Sequence, residues 1–261
     1  MNRFLLVVAC GFLFIGIISC EKDNQENREP TLKLVKRTAQ SGSSTFTYDE
    51  TGNLSTLQYT SEGMLFKTTY HQYNKNGDII SFTTEYDKNK NDEGDPDFRC
   101  ENFYDEQGRI ERMNQYNLIT DELISYYTID YNSGTILCTR YRAPSERFAI
   151  EKYVLTPDGK NVSQLISYSG VSETPIGSVT YLNYDDQKNP HLLLPLGYNP
   201  NTPLLSKNNA QKAIWETKSA GAGVEIIYNY SYQYNNEGYP ISFSTVGDYV
   251  NSTNTYEYEI Q

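Results

Sequence analysis

The stretch from Asp87 to Asp97 carries the densest set of side chains that could bind a metal ion. Its side-chain oxygens alternate at Asp87, Asn89 and Asn91 in the way that a calcium loop requires, and Asp95 and Asp97 are two further candidate ligands. An EF-hand needs Gly at its sixth position and a bidentate Glu at its twelfth, whereas Gly94 is eighth here and Phe98 is twelfth. Two interpretations stay open, namely a weak calcium site and a long solvated hairpin loop.

Motifs for catalysis are absent from the sequence. The two histidines, His71 and His191, have no Cys at zinc-ligand spacing, and no nucleophile elbow, phosphate-binding loop or zinc-protease helix is visible. A glycosidase carboxylate pair stays open because such a pair is formed in space, yet aspartates in turns explain the acidic residues more simply. The sequence therefore predicts a protein without enzymatic activity and without a cofactor.

Aromatic residues are the weak candidates for ligand binding. Tyr228, Tyr230 and Tyr232 share one face of an alternating segment, and Trp215 is the only Trp among 24 Tyr and 10 Phe residues. Aromatic faces suit stacking on sugar rings and adaptable recognition at interfaces, although packing in a core is the ordinary role of a lone Trp. These four residues are predicted to contact a glycan, a peptide or a partner protein.

A repeated hairpin unit must position these side chains. The unit reads Tyr48-Asp49-Glu50-Thr51-Gly52-Asn53-Leu54, and further copies begin at Tyr73, Tyr104 and Tyr234. Asp or Asn early in a turn caps it by side-chain hydrogen bonding, and Gly late in the turn accepts a positive φ. Each copy therefore predicts a strand, a tight turn and a second strand. The first strand that this pattern indicates contains Phe46 and leads into the first turn.

The strands alternate between an aromatic and a polar face, which is typical of antiparallel sheets. We predict an all-β fold, with a single antiparallel meander of about 14–16 strands that is curled or closed into a porin-like barrel. The tyrosines would line its interior. The opposite face holds Thr, Ser, Asn, Gln and Glu, and no aromatic ends the chain, so a water-soluble barrel is favoured over one embedded in lipid.

One region departs from the repeat. Residues 191–223 contain several Pro and Gly residues and few strand signals. Connections of this length are uncommon and are often functional. We predict that the segment covers or plugs one end of the sheet.

The N-terminus has the features of a lipoprotein signal peptide. Asn2-Arg3 is a short positive region, and an uncharged apolar segment from Phe4 to Ile18 follows, shorter than the ~20 residues of a comfortable membrane span. The segment ends Ile17-Ile18-Ser19-Cys20, which resembles the lipobox of bacterial lipoproteins; an ordinary secretory signal or an uncleaved anchor are the alternatives. We predict a signal peptide at 1–19, a lipidated Cys20 with a flexible acidic tether at 20–30, and one β-domain at 31–261.

Charge and cysteine content restrict the partners and the redox state. The formal net charge of −11 argues against nucleic acid as a partner and against electrostatic binding to anionic lipid, which leaves the lipid at Cys20 as the predicted membrane contact.

Cys100 and Cys138 would lie about three strands apart in a meander. At about 4.8 Å per strand they are too far apart for a disulfide, so two free, buried thiols are predicted.

Two resemblances follow from these motifs. The Tyr-Asp turns resemble the tyrosine–aspartate repeats of Rhs-type proteins. Together with Cys20, with Tyr184-Asp185-Asp186-Gln187-Lys188-Asn189-Pro190 and with Ser206-Lys207-Asn208-Asn209, they resemble a Bacteroidetes lipoprotein family of unknown function with a porin-like fold. The turn after Tyr184 departs from the pattern because it has no Gly. The resemblance implies a β-rich lipoprotein of the outer membrane, on its periplasmic side or at the cell surface, and implies no activity.

The function predicted from the sequence is that of a lipid-anchored, non-enzymatic envelope protein that binds a glycan, peptide or protein partner through its Tyr-rich face. The alternatives are a purely structural envelope protein and a carboxylate-pair glycoside hydrolase.

Overall fold

The computed structural model describes residues 31–87, 96–170, 172–195, 206–219 and 222–260. The signal segment, Cys20 and the tether lie outside these residues, as do Asn89, Asn91 and Asp95 of the predicted calcium loop. In the described part the chain forms one short 3₁₀ helix, Pro190–Leu193, and sixteen strands: β1 Leu32–Ala39, β2 Gly42–Tyr48, β3 Leu54–Ser61, β4 Met64–Tyr73, β5 Ile79–Tyr86, β6 Phe98–Tyr104, β7 Ile110–Asn117, β8 Leu123–Asn132, β9 Thr135–Arg142, β10 Glu146–Leu155, β11 Val162–Ser169, β12 Pro175–Tyr184, β13 Ala210–Ser219, β14 Ala222–Tyr234, β15 Pro240–Gly247 and β16 Asn251–Ile260.

The sheet closes into a barrel. Every strand pairs antiparallel with its neighbours in the chain, and β1 pairs with β16 from Leu32↔Ile260 to Thr38↔Thr255. The predicted antiparallel meander and its closure are confirmed. The sequence pattern missed β1, because no Tyr-Asp turn precedes this strand and its only partner in local sequence is β2.

The repeat turns have the predicted hydrogen bonds. Asp49 Oδ1 accepts from the backbone amides of Thr51 and Asn53, each at 2.9 Å, and Gly52 takes a φ of +82°. Asn235 repeats the arrangement with the amides of Glu237 at 3.1 Å and Tyr239 at 2.8 Å. All the repeat turns join an even-numbered strand to the next odd-numbered one, so they lie at the same end of the barrel, which we call the turn end.

The two faces of the sheet differ in polarity, as the alternation predicts. Directly opposed residues of antiparallel strands share a face, and the buried pair Phe82↔Cys100 belongs to the interior. Outside, Lys36 Nζ lies 3.3 Å from Glu257 Oε1, and Ser81 Oγ donates to Gln72 Oε1 at 2.8 Å. Among the described residues, no helix is long and apolar enough to cross a membrane.

Both cysteines behave as the meander predicts. Cys100 in β6 and Cys138 in β9 are free and buried, and they are three strands apart in the barrel. Each belongs to a different cluster of the interior. Cys100 packs with Leu34, Phe46 and Phe82, and Cys138 packs with residues of β7 to β11.

Candidate functional site

A series of tyrosine hydroxyls stabilises the turn end. Near the end of an even-numbered strand, a Tyr hydroxyl donates to a backbone carbonyl at or near the start of the strand before it, over 2.6–3.0 Å. The donor and acceptor pairs are Tyr48–Leu34, Tyr73–Leu54, Tyr104–Ile79, Tyr131–Ile110, Tyr184–Val162, Tyr232–Ala210 and Tyr258–Pro240. These seven tyrosines therefore have a structural role, because their hydroxyls hold neighbouring strands together.

The turn after Tyr184 closes in the same way as the other turns, but with a long insertion. In an ordinary repeat the Asp49 amide donates to the Asn53 carbonyl at 2.8 Å. Here the Asp185 amide donates to the Asn209 carbonyl at 3.1 Å, and Asp185 Oδ1 accepts from the Asn209 amide at 3.1 Å. The missing Gly of this turn is explained, because the chain leaves the turn instead of reversing in it. We call residues 186–208 the insert.

The insert crosses the turn end of the barrel. It leaves from β12, and its 3₁₀ helix begins after Asn189, whose side chain accepts from the His191 amide at 3.0 Å. Leu194 is buried in the cluster that contains Phe46 and Phe82, on strands that lie across the barrel from β12. Residues 190–195 therefore cover the turn end, as predicted for this segment. Residues 196–205 lie outside the residues that the structure describes.

A cavity of about 460 Å³ lies between the insert and the barrel wall. The insert contributes polar side chains at Asn189, His191, Ser206 and Asn208. The wall contributes six tyrosines, Tyr153, Tyr181, Tyr184, Tyr230, Tyr232 and Tyr256. The volume falls in the range of about 300–1,000 Å³ that is usual for small-molecule sites.

Three of these tyrosines differ from the structural series. Within the described ranges, the hydroxyls of Tyr181, Tyr230 and Tyr256 have no hydrogen-bond partner. Burial raises the pKa of each, to about 12 for Tyr230, so all three are protonated at neutral pH. These three hydroxyls are available to donate hydrogen bonds to a bound molecule and to accept hydrogen bonds from it.

Arg37 is the one cation among the described residues that line the cavity, apart from the titratable His191. Its Nη2 lies 3.4 Å from Asn254 Oδ1, its Nε is buried without a partner in the described part of the chain, and no described lining residue is Asp or Glu. Burial, and then the charge of Arg37, lowers the pKa of His191 to about 4. His191 is therefore neutral at pH 7, and Arg37 supplies the positive charge of the cavity.

The predicted site residues are only partly brought together. Tyr230 and Tyr232 line the cavity, and Tyr232 also belongs to the structural series. Trp215 and Tyr228 contact each other edge to face at 6.1 Å, and Trp215 is 44% exposed. The register of β13 and β14 places this pair further from the turn end than Tyr232.

The calcium hypothesis gains no support from the described residues. Asp97 Oδ1 accepts from the Tyr86 amide at 2.8 Å, so this carboxylate caps the end of the hairpin. No group of three or more His, Cys, Asp or Glu side chains suited to a metal occurs in the part of the chain that the structure describes.

Sequence reasoning missed Arg37, Tyr181 and Tyr256 as site residues. The alternation places Tyr256 on the aromatic face, but nothing local separates it from Tyr258, whose hydroxyl is already bonded to Pro240. Arg37 lies in β1, the strand that the pattern did not reveal. His191 opens the irregular segment, and nothing in its local sequence marks it as a cavity residue.

Comparison with known proteins defines the class of fold. No protein-family model matches the chain, and a search of curated proteins gave no match. A porin-like protein from Bacteroides vulgatus is similar in structure, with a TM-score of 0.51 and 12% identity over 86% of this chain and 98% of that one. Another, from Bacteroides uniformis, gives a TM-score of 0.41 and 12% identity over 87% and 98%.

The chain is therefore a sixteen-stranded, closed, porin-like β-barrel. At this identity the likeness concerns the fold alone.

Proposed function

We propose that this protein is a non-enzymatic, lipid-anchored protein of the cell envelope that binds a small, hydroxyl-rich ligand of the glycan class in the turn-end cavity. The observation that carries the proposal is the set of three cavity tyrosines, Tyr181, Tyr230 and Tyr256, whose hydroxyls have no partner among the described residues. Tyrosine offers a ring face to a sugar ring and a hydroxyl to its hydroxyls.

This arrangement favours binding over the two alternatives. A purely structural barrel would be expected to pair its interior hydroxyls, as the structural tyrosines do, whereas the hydroxyls of Tyr181, Tyr230 and Tyr256 are unpaired among the described residues and are not fully buried. A glycoside hydrolase needs two carboxyl groups about 5–9.5 Å apart, and no Asp or Glu is found among the described cavity residues.

The proposed anchor and location come from the N-terminal segment. A signal peptide at 1–19 that ends before Cys20, followed by an acidic tether, supports lipidation at Cys20 and attachment to the outer membrane. The outward ion pair of Lys36 with Glu257 and the outward Gln72–Ser81 hydrogen bond support a barrel that stands in water.

A binding screen of the mature chain against glycans and peptidoglycan fragments tests the proposed function. Any bound glycan should bind roughly two- to tenfold more weakly to Tyr230→Phe, since each lost hydrogen bond is worth about 0.5–1.5 kcal/mol. Tyr73→Phe is the matched control, because the Tyr73 hydroxyl already donates to Leu54. Equal loss of binding in both variants would contradict a site at the cavity.

The anchor needs a separate experiment. Wild-type cells should incorporate labelled palmitate into the protein, and Cys20→Ala should abolish the label and release the protein from the membrane fraction. Labelling that persists in Cys20→Ala would refute the anchor.

A further inference from the structure

We propose that the cavity selects a sugar bearing a carboxylate, and that Arg37 binds that carboxylate. This inference rests on the proposed function and adds to it the chemical class of the ligand. It is carried by the position of one guanidinium in a cavity whose described lining residues include no Asp or Glu.

Arg37 lacks the ion pairs and ring contacts that several other described arginines possess. Arg109 lies 2.7 Å from the Asp105 carboxylate, and interior Arg140 lies over the rings of Tyr127 at 5.1 Å and Phe148 at 4.7 Å. Arg37 has neither an ion pair nor a ring contact among the residues that the structure describes. Residues 196–205 contain no Asp or Glu in their sequence either.

The charge of Arg37 has no counter-ion among the described residues. Arginine stays protonated in proteins, and the Nε atom of the partly buried Arg37 side chain has no hydrogen-bond partner in the described part of the chain. A chain with a net charge of −11 has acidic residues in excess, yet none of the described ones lines this cavity. A bound anion would supply the missing counter-charge.

The geometry around Arg37 favours a carboxylate on a ring. The guanidinium forms a planar fork that matches a carboxylate in a bidentate manner. Arg37 lies opposite Tyr256 in the register, and the Tyr256 ring stacks on Phe243 at 5.9 Å. The free hydroxyls of Tyr181 and Tyr230 complete a polar lining for the hydroxyls of the same ligand.

The test uses the mature full chain, two variants and two pairs of probes. Glucuronic acid and galacturonic acid are the acidic probes, and glucose and galactose are their respective neutral counterparts. Arg37→Met removes the charge at similar volume. Lys36→Gln is the matched control, because Lys36 is the next residue in the chain and pairs with Glu257 outside the barrel.

We expect at least one acidic sugar to bind wild type and Lys36→Gln at least tenfold more tightly than its neutral counterpart, and to lose that preference in Arg37→Met. Arg37→Met also removes the contact of Nη2 with the buried Asn254 side chain, so the unliganded variant should unfold at a slightly lower temperature than wild type, while its affinity for the neutral sugars should equal that of wild type. This readout separates a ligand contact from a structural role.

Two results would overturn the inference and leave the proposed function intact. One is binding of neutral and acidic sugars with equal affinity, and the other is unchanged acidic-sugar binding in Arg37→Met. Binding of a short acidic peptide in place of every sugar would overturn the acidic-sugar assignment. If no probe of any kind binds, the proposed function fails together with the inference.

Discussion

The carboxylate of Asp185 accepts a hydrogen bond of 3.1 Å from the backbone amide of Asn209, 24 residues further along the chain. In the first repeat the equivalent bond joins Asp49 to Asn53, only four residues later. The strands on either side of the long turn keep the barrel register, since Tyr184 lies opposite Ala210. A segment that forms part of a cavity has therefore been placed inside a repeat turn without disturbing the sheet.

Asp185→Ala should loosen the insert. Asp185 also accepts from the Gln187 amide at 3.1 Å and from the Tyr234 hydroxyl, so the change leaves several donors unpaired. We expect the free energy of unfolding to fall by about 1–3 kcal/mol and cleavage by a non-specific protease to appear between residues 186 and 208.

The control for this prediction is Asp105→Ala. Asp105 caps an ordinary turn through the amides of Gln107 and Arg109, each at 2.9 Å. This variant should lose stability without becoming sensitive to the protease within the insert. Resistance of the insert in Asp185→Ala would show that other contacts hold it.

Two Tyr→Phe changes should have opposite effects on stability and binding. The Tyr73 hydroxyl donates to the Leu54 carbonyl at 2.8 Å, whereas the Tyr230 hydroxyl has no partner among the described residues. Tyr73→Phe should lower the free energy of unfolding in urea by about 1 kcal/mol or more, and Tyr230→Phe should leave it unchanged or raise it. Equal destabilisation by both changes would contradict the division of the tyrosines into a structural and a binding set.

The fold was largely predictable because its signals are local. The turn chemistry of Asp49 and Gly52, and the alternation along each strand, act within a few residues and fix hairpins in series. Of the site, only Tyr230 and Tyr232 were predicted, because its members come from β1, β12, β14, β16 and the insert. The register of the neighbouring strand decides which tyrosine hydroxyls are already hydrogen-bonded. No local sequence pattern reveals that register.

The two thiols should be unreactive in the folded protein. Burial raises the pKa of Cys100 and of Cys138 to about 12, so neither forms a thiolate near neutral pH. A chain starting at residue 31 should show no reaction with a thiol reagent at pH 8 and two reactive thiols when unfolded in urea. Rapid labelling of the native protein would indicate that the interior opens readily. Fewer than two thiols in urea would instead contradict the free state of the cysteines.

Acid should destabilise the protein partly through His191. The pKa of His191 is about 4 in the folded protein, against 6.5 for the unperturbed group, because burial and then the charge of Arg37 oppose protonation. The unfolded chain therefore binds a proton more readily, and the stability that neutral His191 contributes is present above pH 6.5 and is lost as the pH falls toward 4. The free energy of unfolding can fall in this way by about 1.4 kcal/mol per pH unit.

His191→Gln removes the titration and keeps a polar side chain, so its free energy of unfolding in urea should fall less steeply than that of wild type between pH 6.5 and 4. The carboxylates titrate alike in both proteins, and the difference between the two curves isolates His191. Parallel curves would mean that the imidazole reaches water in the folded state, and that residues 190–195 do not shield this side of the cavity.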